Sequence, residues 1–95
     1  MRAEVAMGIH EGVMERIKAQ ARQEYPNDYS MQAYTVEWEV EAYRELVSYQ
    51  RPAGVALEDF HQILDGAEQE YPDDYSLQKY SVESEIRSYL KLHGR

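Results

Sequence analysis

Apolar residues recur at helical spacing in four stretches of the chain. Within each stretch most of them stand three or four positions apart, which places them on one stripe of an α-helix. In the second and fourth stretches the stripe consists of Val36, Val40, Tyr43 and Val47, and of Val82, Ile86 and Tyr89. In the first and third it consists of Ile9, Val13, Met14, Ile17 and Ala21, and of Leu57, Phe60, Ile63, Leu64 and Ala67. The pattern predicts helices near residues 9–24, 30–50, 56–70 and 76–92.

A stretch of thirty residues occurs twice. Residues 17–46 and 63–92 are offset by 46 positions, and 16 of the 30 aligned residues are identical. Two helical hairpins with apolar faces bury those faces by packing on each other. The period lies in the range of helical solenoid repeats, but two units without distinct caps make a poor solenoid. We therefore predict an all-α fold, a compact four-helix bundle built from two duplicated helical hairpins with pseudo-two-fold symmetry.

The length of the chain bounds its organisation. With 95 residues there is room for a single domain, residues 1–95. A proline and a glycine close together interrupt any continuous helix, which predicts a linker at residues 51–54. Repeat unit one then covers residues 9–50 and repeat unit two covers residues 55–93.

The turn inside each hairpin is repeated almost unchanged, as YPNDYS and YPDDYS. Because proline disfavours the helical conformation in the residue before it, the first helix of each unit should stop near Glu24 or Glu70. Serine can cap the following helix, with the preceding aspartates as alternatives. With serine as the cap, the flanking tyrosines have the spacing of a hydrophobic staple that clamps the turn. These turn and clamp residues are Tyr25, Pro26, Tyr29, Ser30 and Tyr34, and Tyr71, Pro72, Tyr75, Ser76 and Tyr80.

Some repeated polar residues lie close to the predicted core. Gln32 and Gln78 stand near the core stripe at the start of their helices, so we expect their amides to bond to a turn carbonyl or a tyrosine hydroxyl. If the two turns met across an internal axis, these amides would line a small polar pocket. Glu39 borders the core stripe, whereas Glu37 points toward solvent. We interpret most of the repeated acidic residues as ordinary surface charge.

The two units differ on the back of their second helices. In unit one the residues opposite the core stripe are Met31, Tyr34, Trp38 and Ala42, and in unit two they are Leu77, Tyr80, Ser84 and Ser88. A helix that is apolar on two faces is either wedged between neighbours or presents one face to a partner. Three interpretations of the outer stripe of unit one remain open: Trp38 packs inside an asymmetric bundle, the stripe joins a second copy in a homodimer, or it binds a different protein.

The net charge and the absence of known motifs argue against several classes of function. The formal net charge of -8 argues against direct binding of nucleic acid, which draws on Lys and Arg. The leading hypothesis is a small acidic noncatalytic protein-interaction module, and the alternative is an acidic nucleic-acid mimic or regulator that binds a basic protein. A carboxylate metal-binding bundle is a weaker alternative, because the Glu58 and His61 spacing is answered by Gly12 and Glu15 in unit one. We identify no catalytic motif and predict no catalytic residue, cofactor or metal site.

Cysteine usage and hydropathy indicate the compartment. Cysteine is absent, so no disulfide compensates for a modest core, and association with another copy is a natural way to bury more surface. No stretch approaches the roughly 20 apolar residues of a membrane span, and the first residues lack the apolar run of a secretory signal. We expect a soluble cytoplasmic protein that does not bind membranes.

Overall fold

The computed structural model describes residues 11–93, and in this part of the chain the regular elements are four helices with no strand. They are α1 (Glu11–Glu24), α2 (Tyr29–Val47), α3 (Leu57–Glu70) and α4 (Tyr75–His93). The predicted all-α class is confirmed. The predicted start of the first helix, with Ile9, lies outside the described residues. Within residues 11–93 no helix is both long and apolar enough to cross a membrane.

The turn of each hairpin ends one helix and begins the next within a few residues. As proline predicts, α1 ends at Glu24 and α3 ends at Glu70. Asn27 and Asp73 then adopt φ angles of 67° and 63°. This left-handed conformation is accessible to Asn and Asp at lower cost than to most residues. The residue types of the turn therefore match its backbone.

Of the two predicted caps, serine is wrong and the alternative, aspartate, is found at both long helices. Asp28 Oδ1 accepts a hydrogen bond from the Met31 N–H at 3.1 Å, and Asp74 Oδ1 accepts one from the Leu77 N–H at 3.1 Å. The hydroxyls of Ser30 and Ser76 instead donate to these same carboxylates. A carboxylate also interacts favourably with the positive end of the helix.

The predicted tyrosine clamp is wrong for the same reason. With aspartate as the cap, Tyr29 and Tyr75 are the first residues of their helices and no longer hold the staple position before the cap. Tyr29, Tyr34 and Tyr80 are exposed, whereas Tyr75 is buried in the core of the other hairpin. The four tyrosines therefore do not share one structural role.

The helices pack in the order α1, α2, α4, α3, so the two long helices lie side by side at the centre of the bundle. The described part measures 49 × 27 × 19 Å. One core cluster lies between α1 and α2 and includes a tyrosine from α4, and the other lies between α3 and α4. Their buried members are Val13, Met14, Ile17, Val40, Ala42 and Tyr75, and Val55, Phe60, Ala67, Val82 and Ile86. Leu46 packs against both clusters and joins the two hairpins.

The segment between the hairpins is packed against α4. Gly54 has a φ of 91°, and a Cβ added there would lie 3.1 Å from Leu90 Cδ2. Arg51 Nη1 donates to the Val55 carbonyl at 2.7 Å, and Val55 is fully buried. Because α2 ends at Val47, the connection is longer than the predicted linker.

Candidate functional site

The outer stripe of unit one is divided by the packing of α4. Ala42 is buried and Met31 is half-buried, but Tyr34 is 58% exposed and Trp38 is 59% exposed. The rings of Tyr34 and Trp38 stack at a centroid distance of 6.3 Å and an interplanar angle of 25°. The interpretation that Trp38 packs inside the bundle is wrong, because α4 covers the Ala42 end of the stripe and leaves the aromatic end open.

A groove lies beside this aromatic pair, between α2 and α4. Its cavity of about 230 Å³ has Trp38, Ala42 and Tyr80 in its lining. The charged residues around it are Glu41, Glu45, Lys79 and Glu83. The ammonium of Lys79 lies 2.8 Å from Glu45 Oε1, and this contact raises the pKa of Lys79. We call Tyr34, Trp38 and this groove the aromatic face.

A second constellation joins the two hairpins, and sequence reasoning did not find it. Glu39 of α2 is only 8% exposed and caps the first turn of α4. Its Oε2 accepts from the Tyr75 N–H at 2.7 Å, and its Oε1 accepts from the Ser76 N–H at 3.2 Å. These donors have no partner inside their own helix, so the carboxylate satisfies them. The available signal was that Glu39 recurs as Glu85 and borders the core stripe.

Tyr75 is the apolar half of this contact. It is 8% exposed and packs into the core cluster between α1 and α2. There its ring contacts the Tyr43 ring edge to face, with 5.0 Å between the ring centroids. Burial raises the pKa of the Tyr75 hydroxyl, although the neighbouring Arg16 opposes that shift. Arg16 Nε also donates to Asp73 Oδ1 at 3.1 Å. The groove between α1 and α2 thus holds the turn of unit two in three ways. The Tyr75 ring is buried in it, Glu39 caps α4, and Arg16 pairs with Asp73.

This contact runs in one direction, so the structure does not show the predicted pseudo-two-fold axis. Such an axis would place Glu85 at the start of α2 just as Glu39 lies at the start of α4. Tyr29 is instead 75% exposed, and Glu85 is exposed on α4. Among residues 11–93 no side chain accepts a hydrogen bond from the N–H of Tyr29 or Ser30.

Glu85 lies in a groove between α3 and α4. The cavity has a volume of about 550 Å³, and Ile63, Ala67 and Ser81 belong to its lining. Tyr89 also lines it, donating its hydroxyl to Asp59 Oδ2 at 2.8 Å and stacking on His93 at 4.3 Å. We call this cavity the α3/α4 groove. It is formed by the residues of unit two that correspond to the groove around Tyr75 in unit one.

The repeated glutamines serve the turns, as predicted. Gln32 Nε2 donates to the Tyr25 carbonyl at 2.8 Å, and Gln78 Nε2 donates to the Tyr71 carbonyl at 2.7 Å. The polar pocket considered for these amides is not formed, because Gln32 and Gln78 line different cavities.

The residues considered for the weaker metal alternative lie on the surface. Glu58 and His61 are both exposed on α3. In the part of the chain that the structure describes, no three His, Asp or Glu side chains converge as the ligands of a metal would. The geometry thus leaves two surfaces to explain, the aromatic face and the α3/α4 groove.

Comparisons with models of protein families, with curated proteins and with solved structures found no match to this chain.

Proposed function

We propose that this chain is a small noncatalytic protein-interaction module that binds a segment of a partner protein at the aromatic face. The observation that carries the proposal is the exposure of Tyr34 and Trp38, which stack on each other at the edge of a groove. Exposed aromatic residues beside a groove are typical of sites that carry most of the energy of binding. Trp and Tyr are also enriched at interfaces because they combine large apolar area with a polar atom.

The charges around the groove indicate the chemistry of the partner. Three carboxylates, Glu41, Glu45 and Glu83, surround it, and one lysine lies among them. Since Lys79 is already paired with Glu45, the remaining acids favour a basic partner. The segment that fits has a large apolar side chain for the groove and Lys or Arg beside it.

Trp38→Ser tests the proposal, since serine is the residue at the equivalent position of unit two. Because Trp38 is exposed, this change should alter the free energy of unfolding by no more than about 0.5 kcal/mol. Peptides selected from a random display library against the natural chain should combine an apolar anchor with basic residues. We expect them to bind Trp38→Ser at least tenfold more weakly, measured by isothermal titration calorimetry. Leu57→Ser, which removes an exposed apolar side chain elsewhere, is the matched control.

The outcome separates this proposal from an acidic regulator of a basic protein. Binding at the aromatic face should persist at about 0.5 M salt, because exposed charges are strongly screened there while apolar contacts are not. If the selected peptides bound Trp38→Ser as tightly as the natural chain, the aromatic face would not be the site. If binding also vanished in salt, charge alone would account for it.

A further inference from the structure

Each repeat unit carries both halves of the contact that joins the hairpins. One half is the start of the long helix with its tyrosine, Tyr29 or Tyr75, and the other is a groove with its glutamate, Glu39 or Glu85. Inside the chain, Tyr75 fills the groove that contains Glu39. The start of α2 does not fill the α3/α4 groove of the same chain, because the two lie on opposite hairpins.

We propose that copies of this chain associate head to tail, with Tyr29 of one copy inserted into the α3/α4 groove of the next. Glu85 then accepts hydrogen bonds from the N–H groups of Tyr29 and Ser30, as Glu39 accepts them from Tyr75 and Ser76. The occupant is a second copy of the chain because the intramolecular contact already joins these same two surfaces.

The α3/α4 groove retains part of the lining of the groove around Tyr75, although Val13 and Ala42 of the Tyr75 cluster are replaced by Asp59 and Ser88. Along the wall provided by the shorter helix, isoleucine, alanine and glutamate recur at the same positions. Along the wall provided by the longer helix, a small hydroxyl residue, glutamate and tyrosine recur. The pairs are Ile17 and Ile63, Ala21 and Ala67, and Glu24 and Glu70, followed by Thr35 and Ser81, Glu39 and Glu85, and Tyr43 and Tyr89. The cavity of about 550 Å³ can therefore take a tyrosine ring.

The polar pair at the mouth of the groove changes on both sides together. In unit one, Arg16 donates to Asp73 across the contact. The corresponding residues of the proposed contact are Gln62 and Asn27. The two side-chain amides can still hydrogen bond to each other, although more weakly than a guanidinium and a carboxylate. Replacing only one partner would have left an unmatched charge.

Farther along the helices, the groove side changes from acidic to basic, while an acidic residue is kept on the incoming side. In the intramolecular contact, Glu45 of α2 pairs with Lys79 of α4, with Glu41 nearby. In unit two, Arg87 and Lys91 stand where Glu41 and Glu45 stand in unit one. On the incoming copy, Ala33 stands where Lys79 does, and Glu37 stands where Glu83 does, so the basic pair would face Glu37. Basic residues on one surface then meet an acidic residue on the other.

The contact is heterologous, so it leaves both ends of any oligomer open. Head-to-tail contacts of this kind produce rings or filaments and do not stop at a dimer. Tyr34 of the incoming copy would take the place that Tyr80 has inside the chain, but Trp38 is not part of the proposed contact. Trp38→Ser therefore separates the two proposals, because it should weaken peptide binding and leave assembly unchanged.

Two complementary variants test the proposal by sedimentation velocity from about 5 μM to about 1 mM. The upper limit matches the effective concentration that a short linker provides inside the chain. Tyr29→Ser removes the inserted ring and leaves the groove, whereas Glu85→Lys blocks the groove and leaves the ring. Both residues are exposed, so circular dichroism should show both variants folded.

We expect the natural chain to grow beyond a dimer with concentration, and each variant alone to remain at its monomer mass of about 11 kDa. An equimolar mixture of the variants should form a dimer that grows no further, because only one groove and one tyrosine in it remain intact. Trp38→Ser should assemble like the natural chain. A natural chain that stays monomeric up to about 1 mM would overturn the proposal, as would a dimer that persists in both variants.

Discussion

Removing the carboxylate of Glu39 should destabilise the protein through the start of α4. The carboxylate is 8% exposed and accepts hydrogen bonds from the N–H groups of Tyr75 and Ser76. Glu39→Ala leaves both donors without a partner at a buried junction between the hairpins. Asp74 continues to cap the Leu77 N–H, so α4 should form but dock less firmly on α2.

The expected magnitude follows from these two bonds. A hydrogen bond to a charged group contributes roughly 1.5 to 3 kcal/mol, and loss of a helix cap costs about 0.5 to 2 kcal/mol. Because the two donors share one carboxylate and water can reach part of the turn, we expect a loss of about 2 to 4 kcal/mol for Glu39→Ala. Glu39→Gln retains one acceptor oxygen, so a loss of about 1 to 2 kcal/mol is expected.

Urea unfolding, followed by circular dichroism, measures the loss of stability in both variants. A chain concentration of about 5 μM keeps association between copies from contributing. Glu85→Ala provides the matched control, since the same residue type at the equivalent position is exposed and bonds to no backbone donor among residues 11–93. Its effect should stay within about 0.5 kcal/mol. For a chain of this size the Glu39→Ala loss corresponds to a fall in Tm of about 10 °C or more. Equal small effects at the two glutamates would refute the reasoning.

Two further predictions concern the linker and the buried tyrosine. Gly54→Ala should lower the free energy of unfolding by about 1 to 3 kcal/mol in urea, because φ is 91° and the new Cβ would lie 3.1 Å from Leu90. Because burial raises the pKa of Tyr75 above the ordinary value of 10.0, the folded state keeps this proton after the unfolded state has lost it. The stability it contributes is complete below pH 10.0 and is lost as the pH rises through the folded-state pKa. Tyr75→Phe should therefore show a shallower loss of stability as the pH rises above 10.0, and an unchanged slope would contradict this.

The four helices and the ends of α1 and α3 could be read from the sequence because they depend on nearby residues. Proline stops α1 and α3, and the apolar spacing identifies the faces that form the two core clusters. The glutamine bonds to the turn carbonyls span only seven residues, so they too were predictable. The cap was harder to assign, since Asp28 and Ser30 both have suitable side chains and only the backbone decides between them.

The contact between the hairpins could not be read in this way. Glu39 and Tyr75 are 36 residues apart, and the same residue types occur in both units as Glu85 and Tyr29. Identity between the repeats therefore suggested equal roles, whereas the structure buries one member of each pair and exposes the other. The contact is one-way because the start of α2 and the α3/α4 groove lie on opposite hairpins, where the same chain does not join them.

The same geometry sets the strength expected of the proposed assembly. Inside the chain, the connection between α2 and α3 holds the two surfaces together, which raises their effective concentration to the millimolar range. Between copies this advantage is absent, and the α3/α4 groove is more polar than its counterpart, with Asp59, Ser88 and His93 in place of Val13, Ala42 and Val47. Both differences weaken the contact between copies relative to the contact within one. Assembly should therefore depend strongly on concentration, and Ser88→Ala, which restores the unit-one residue, should shift it to lower concentration.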